Sequence, residues 1–274
     1  MRRERRGRRA VADAKAIPIL MYHHLTRHPP EGFAKYALSP KTFARQMKLL
    51  ALAGYCPVSL DAWLANRHDR GALPGAPVII SFDDGFGEAI EHAVPVLKRH
   101  RFPAIFFLVA GLMGKASAWL MRERGVELPL LDWERAARLH SEGFEIGSHT
   151  ITHPRLTGIS RSSCYEELRG SRLMLEDRLG CPVRHLAYPF GLHNEAVRTT
   201  AERAGYVSGL TTEIGLARPW EEPHALRRVP VVGGESLLDF AARLLTGHAL
   251  REQWGPALAR LRSLVKFPAA ESRP

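Results

Sequence analysis

The chain has 274 residues, 45% hydrophobic and 24% charged, which is ample material for a core and unlike a disordered polymer. Mean hydropathy is −0.17, and the longest apolar runs, 104–114 and 76–82, are far shorter than the ~20 residues of a membrane-spanning helix. The net charge is +11, and six arginines against Glu4 in residues 1–9 supply +5 of it.

Residues 1–15 therefore read as a basic tail, expected to be solvated and disordered, with weak electrostatic attachment to anionic surfaces as its sharper use. Specific nucleic-acid binding is not expected. A secretory signal would follow the arginines with about 7–15 apolar residues; Asp13 and Lys15 interrupt that stretch, so the sequence as written is expected to be cytoplasmic. Cys56, Cys164 and Cys181 are odd in number and form no CxxC pair, so they are expected to be reduced packing residues.

Past the tail, residues 17–22 are expected to form a short buried strand ending at His23-His24. Ser39 reads as an N-cap and Pro40 as the first helical residue, with Phe43, Met47 and Leu50 at helical spacing and Gly54 as the stop. Residues 55–59 read as a strand, and Ser59 as the cap of a helix over 60–64. The β-branched run 78–82 closes on Asp83-Asp84-Gly85, a strand that delivers carboxylates at its C-terminal end. A helix over 88–100, a strand over 104–109, a helix over 132–142 and a strand over 144–148 follow. A helix over 162–179 stops at Gly180, and a strand covers 185–188. A helix over 195–204 stops at Gly205, and strands over 206–211 and 226–232 close the pattern. Such alternation implies parallel β/α units. About seven of them suggest a closed or nearly closed barrel with its chemistry at the strand C-termini.

Three groups of residues fall at such ends. Asp83 and Asp84 are crowded carboxylates that cannot both stay ionised cheaply, so a cation on one leaves the other free as a base. Alone, the pair would also suit a surface turn. His149 and His153 are four apart, the spacing at which two imidazoles lie on one face of a helical turn and can share a metal. Pro154 limits that helix to a single turn. Two imidazoles and a carboxylate make the three-ligand set of a hydrolytic zinc site with positions left open. The third group is Tyr188-Pro189-Phe190.

Together, Ser81-Phe82-Asp83-Asp84-Gly85, His149-Thr150-Ile151-Thr152-His153 and Tyr188-Pro189-Phe190-Gly191 resemble the motifs of the polysaccharide deacetylase family, the NodB-homology group or carbohydrate esterase family four. Order and intervals agree, with 65 positions from Asp84 to His149 and 37 from His153 to Phe190, and the likeness spans roughly residues 16–240. The openings at 17–25, 38–47 and 54–60 are similar to the branch of poly-β-1,6-N-acetylglucosamine deacetylases. The resemblance implies an α/β fold, a distorted (β/α)7-type barrel in one domain over 16–245, followed by a C-terminal helix and tail over 246–274. It implies a divalent metal held by Asp84, His149 and His153, Zn2+ first, with Co2+ or Ni2+ as substitutes. Asp83 would be the general base, and His23, with His24 beside it, the general acid. The backbone N–H of Phe190 would stabilise the oxyanion. Tyr188, Pro189 and Arg228 are expected to contact the carbohydrate substrate.

The chain departs from the family at two points. Many members place an arginine two positions before the proline of the third motif, where it steadies the base; Ala187 stands there, which leaves Arg227 and Arg228 as candidates. No late leucine–x–histidine motif is present, and His224 stands in the reverse order, so it is not assigned as the acid. Trp63, Trp119, Trp133 and Trp220 could stack on sugars, although large aromatics more often belong to a core. The activity implied is hydrolysis of a carbon–nitrogen bond other than a peptide bond. It would remove N-acetyl groups from an N-acetylhexosamine-containing polysaccharide, oligosaccharide or glycoconjugate. The alternatives are another small acyl amide or an acetate ester at the same site, or a non-catalytic glycan-binding member. The family is often exported, at odds with the missing signal.

Overall fold

Parallel strands leave no open edge only when their ring closes, and here the first strand pairs with two neighbours to close it. The computed structural model describes residues 16–69, 73–250 and 252. The basic tail, and residue 251 with residues 253–274 of the expected 246–274 segment, lie outside the described residues. In chain order, Ile19–Tyr22 (β1) is followed by a small parallel pair, His24–Leu25 (β2) with Ala37–Leu38 (β3), and by helix Pro40–Leu52 (α1). Tyr55–Pro57 (β4), Leu60–Asn66 (α2), Ala76–Phe82 (β5), Gly87–His100 (α3) and Ile105–Leu108 (β6) come next. Ala118–Arg124 (α4), Trp133–Ser141 (α5), Glu145–Ser148 (β7), Arg161–Leu179 (α6) and His185–Ala187 (β8) continue the alternation. Glu195–Arg203 (α7), Ser208–Ile214 (β9), Leu226–Pro230 (β10) and Leu237–Thr246 (α8) end it.

The ring runs β1-β5-β6-β7-β8-β9-β10 and back to β1, every pairing parallel. It is a seven-stranded β/α barrel. The eighth predicted strand, β4, stays outside the ring and pairs with the first half of β5. The β9–β10 connection departs from the alternation, crossing on a short 3₁₀ turn at Pro223–Ala225 instead of a helix.

Side chains along the strands alternate between two buried clusters, as the two-residue period of a pleated strand requires. Leu20, Tyr22, Ile80, Phe82, Phe106 and Leu108 pack outward against the helices. Ile19, Ile79, Ile105, Phe107, Ala187, Leu210 and Leu226 fill the lumen, where Trp63 of α2 joins them. Six helices start on a side-chain cap, at Ser39, Ser59, Asp132, Ser160, Asn194 and Ser236.

At the N-terminal ends of the strands a second device holds α2 to the barrel. The Glu145 carboxylate accepts the backbone N–H of Leu60 at 2.8 Å and of Asp61 at 3.1 Å, capping α2 from 84 residues away. His185 Nε2 meets Asp61 Oδ1 at 3.2 Å beside it. Replacing Glu145 by Ala removes both acceptors and is expected to cost about 1–2 kcal/mol, read as a lowered midpoint in urea unfolding. An unchanged midpoint would show that water caps α2 equally well.

Candidate active site

The functional side chains gather at the opposite rim, where β5, β7 and β8 end. Asp83 still belongs to the ladder, because its N–H donates to the Tyr22 carbonyl at 2.9 Å. Its side chain therefore continues the inward row of Ile79 and Ser81 and is 3% exposed. A lone carboxylate there would be protonated or destabilising. Arg228 of β10 prevents that. Its guanidinium donates Nη1 to Asp83 Oδ1 at 2.7 Å and Nη2 to Oδ2 at 2.6 Å. Burial pushes the Asp83 carboxyl up, but the Arg228 charge and hydrogen bonds outweigh it and hold the group below the ordinary carboxylate value.

Arg228 is itself held. The β9–β10 register shifts between Leu226 and Arg228, a bulge in β9. The Thr211 carbonyl there accepts Arg228 Nε at 2.8 Å, and Ser81 Oγ lies 3.4 Å from Nη1. The expectation that Arg228 contacts substrate is therefore corrected. It is fully buried, spends its donors on Asp83, Thr211 and Ser81, and does not line the cavity. Arg227 faces outward toward Glu213 and Glu221.

One residue on, Asp84 and Gly85 both take left-handed backbone, φ 72 and φ 71. The turn puts Asp84 Oδ1 3.3 Å from His149 Nε2 and 3.4 Å from His153 Nε2. The two histidines do not share a helical turn, contrary to the spacing argument. Residues 149–154 form an irregular loop after β7 in which Thr150 and His153 are left-handed, φ 70 and φ 61. Pro154 and these backbone angles exclude the helix, and the loop's own folding brings the rings to 4.7 Å. Glu167 of α6 grips the loop by accepting the N–H groups of Ile151 and Thr152 and the Thr152 hydroxyl. Gly111 lets the next loop approach, since a Cβ there would sit 2.8 Å from the Ile151 carbonyl oxygen.

The donor set fits a divalent cation. His149 Nδ1 lies 2.7 Å from the Ala187 carbonyl, which can only accept, so Nδ1 carries the proton and Nε2 turns a lone pair on Asp84. Two acceptors facing each other require positive charge between them, as a proton or an ion. Burial lowers the proton affinity of His149, yet the hydrogen bond to Asp84 outweighs it and raises the net value, while for His153 burial wins. Burial would likewise raise the Asp84 carboxyl, but the His149 and His153 hydrogen bonds hold it far below its ordinary value. His153 stacks on Trp119 at 4.4 Å and meets the Phe190 ring edge-on at 4.7 Å, which fixes its plane.

A cavity of 420 Å³ opens over this rim, lined by Asp83, Asp84, His149, His153, His23, Tyr188 and Phe190 among others. His23 faces it, its buried Nδ1 unpartnered, and burial lowers its pKa against the pull of Asp84 and Asp83. His24 points elsewhere, to Phe86 and Glu88. Phe190, φ 58, supplies the fourth left-handed non-glycine residue of the rim. Tyr188 is fully buried, its hydroxyl donating to the His224 carbonyl at 2.9 Å, and Pro189 is buried outside the cavity lining. Pro189 is therefore not placed to hold a sugar as the sequence suggested, whereas Tyr188 lines the cavity with its hydroxyl already engaged. Of the tryptophans, Trp119 lines the cavity, Trp63 is core, Trp133 packs under Arg178, and Trp220 is exposed away from the site.

A carboxylate and two imidazoles converging at the C-terminal rim of a seven-stranded barrel, beside a second buried acid, define a hydrolase of the β/α-barrel class. The profile of polysaccharide deacetylases matches residues 70–209. YxkH of Bacillus subtilis, itself assigned to these deacetylases, is 30% identical over 227 residues, 82% of this chain and 75% of its own. The chain belongs to the polysaccharide deacetylase family, hydrolases of carbon–nitrogen bonds. The poly-β-1,6-N-acetyl-D-glucosamine N-deacetylase of Staphylococcus aureus is 24% identical over 203 residues, 71% of this chain and 67% of its own. The structure of the Streptococcus pyogenes deacetylase PplD with acetate matches with a TM-score of 0.75. That match is 24% identical and covers 84% of this chain and 99% of PplD, which shows the shared fold.

Arg228→Met tests the buried pair. Leaving Asp83 unpaired is expected to cost about 3–5 kcal/mol of stability at neutral pH. In the parent the depressed Asp83 pKa gives a contribution present above the unfolded-chain value and lost as pH falls through the folded one. In the variant burial wins and the pKa rises, so the deficit should narrow between neutral pH and the carboxylate range. Urea titrations across that window read it, and a pH-independent deficit would refute the charge account.

Proposed function

We propose that the protein is a metal-dependent deacetylase that removes N-acetyl groups from an N-acetylhexosamine-containing polysaccharide, oligosaccharide or glycoconjugate. The observation that carries this reading is the convergence of Asp84, His149 and His153, whose ligand atoms lie within 4.8 Å of one another beside the buried Asp83. Asp84 Oδ1 and the two Nε2 atoms would hold the ion. Such a nitrogen–oxygen set favours Zn2+, with Co2+ and Ni2+ as substitutes. When bound, the ion supplies Lewis acidity, which acidifies water and polarises an acyl oxygen.

Asp83 takes the proton of the attacking water. Arg228 keeps its carboxylate ionised and fixed in plane, so that it is a base at neutral pH at the cost of some basicity. The Phe190 N–H donates to the oxyanion as the acyl carbon becomes tetrahedral. His23 gives its proton to the leaving nitrogen; its lowered pKa makes the imidazolium a readier donor and reduces the fraction protonated. The N-acetyl group is favoured over an acetate ester because an amine needs that proton to leave. The Staphylococcus aureus relative, a poly-β-1,6-N-acetyl-D-glucosamine N-deacetylase by name, supports the same choice.

His149→Ala and His153→Ala should lose bound metal and acetate release together, measured by elemental analysis and an acetate assay. Asp83→Asn should keep its metal and lose about 10²–10⁴ in kcat. Acetate release that survives verified removal of metal by a chelator sinks the mechanism.

His23→Ala separates the acid from the rest. On an N-acetylated glycan its kcat should fall by about 10²–10⁴, with metal content unchanged. An aryl acetate, whose leaving group needs no proton, should be hydrolysed at a rate much nearer the parent's. Equal losses on both substrates would remove His23 from the acid role.

A further inference from the structure

Beyond His23 the cavity wall changes character. The 3₁₀ segment Glu31–Tyr36 carries Lys35 and Tyr36 to the rim, and α4 brings Arg124 to the same place. The Tyr36 ring lies 5.1 Å from the His23 ring and packs on Phe33 at 5.2 Å, so it is fixed. Lys35 Nζ stands 5.5 Å and Arg124 Cζ 5.6 Å from its centroid. The wall is a half-buried aromatic ring overlaid by two exposed cations.

Charge around the cavity is unevenly matched. Arg155, over the Phe190 ring at 4.4 Å, is paired with Glu123 at 2.9 Å. On another part of the lining, Arg243 is shared between Glu235 at 2.6 Å and Glu252 at 2.7 Å, so an acid is in surplus there. Lys35 and Arg124 have no acidic partner among the described residues; the one polar contact of Arg124 is the Gly32 carbonyl at 3.5 Å. The cleft is therefore polarised, positive at Tyr36 and slightly negative at Arg243. A neutral glycan would leave the positive end without a partner.

Resting on the deacetylase reading above, we propose that Lys35, Tyr36 and Arg124 form an anion-binding subsite, and that the substrate is an acidic glycan. A carboxylate or phosphate on the sugar next to the reacting N-acetylhexosamine sits between the two cations, which Tyr36 holds in place beneath them. The subsite fixes which way the chain lies in the cleft, with its anionic unit away from the Arg243 side.

Matched polymers test this on the full-length, metal-loaded protein. One arm uses heparosan oligosaccharides, in which N-acetylglucosamine alternates with glucuronate, against the same oligosaccharides with their carboxyls reduced to alcohols. The other uses N-acetylglucosamine oligomers bearing 6-phosphate, before and after phosphatase treatment. The charged member of at least one pair should show the higher kcat/KM, and the arm that does so identifies the anion. Lys35→Glu/Arg124→Glu should cut that charged-to-neutral ratio by about tenfold, the worth of reversing two solvent-screened charges. High salt should do the same. Arg138→Glu, a surface charge on α5 outside the cavity, should leave the ratio unchanged. No preference in either arm, or a ratio untouched by the double variant, overturns the subsite and leaves the deacetylase intact. Should no polymer release acetate, the deacetylase reading fails by itself. Calorimetric binding of the same pairs then decides the subsite, with equal affinities for charged and neutral members overturning it.

Discussion

An ionised carboxylate inside a lumen of isoleucine, leucine and phenylalanine exists here because a guanidinium meets it with two parallel hydrogen bonds. The Asp83–Arg228 pair joins the end of β5 to β10 across β1, and each partner makes the burial of the other tolerable. Replacing such a pair with apolar side chains often leaves a fold as stable or more so. What the pair does in this barrel is keep Asp83 ionised and fixed in plane, whatever it adds to stability. Lysine could supply the charge at Arg228, but without the planar fork that fixes both carboxylate oxygens.

The rim around the pair is built from backbone that ordinary residues avoid. Among the described residues, five non-glycine positions have left-handed φ, and four of them, Asp84, Thr150, His153 and Phe190, lie in the Asp84 turn, its facing loop or the third motif. Such conformations cost of order 1–3 kcal/mol each in general. They persist because their surroundings leave no alternative. Asp84 is pinned between two imidazoles, the 150–153 loop is held by Glu167 and by Ala110 and Gly111, and Phe190 packs against His153. The core positions the strands to within a residue or so, and these turns set the donor atoms.

Much of this was legible in the sequence. The strand closing on Asp83-Asp84, the helix caps at Ser39 and Ser59 and Gly180 as a stop are local signals, and the structure has all of them where the residues indicate. The shape of the His149–His153 loop was not legible from spacing alone. The i,i+4 interval suits a helical turn equally well, and only the left-handed backbone at Thr150 and His153 distinguishes the two. The role of Arg228 was hidden for another reason. Leu226 and Val229 are three apart, so apolar residues fall on both faces of β10 and the parity of Arg227 and Arg228 cannot be read. Glu167 and Glu145 act on backbone groups distant in the chain, which no short motif records.

The route by which Arg228 reaches Asp83 has a consequence for synthesis. The Asp84, His149 and His153 cluster lies between positions 84 and 153, well before Arg228 in the chain. The guanidinium arrives only with the last barrel strand, which also closes the ring onto β1. Until then Asp83 lacks the guanidinium that balances its charge and fixes its plane. A polypeptide ending short of β10 thus leaves Asp83 without its counter-charge inside an unclosed ring.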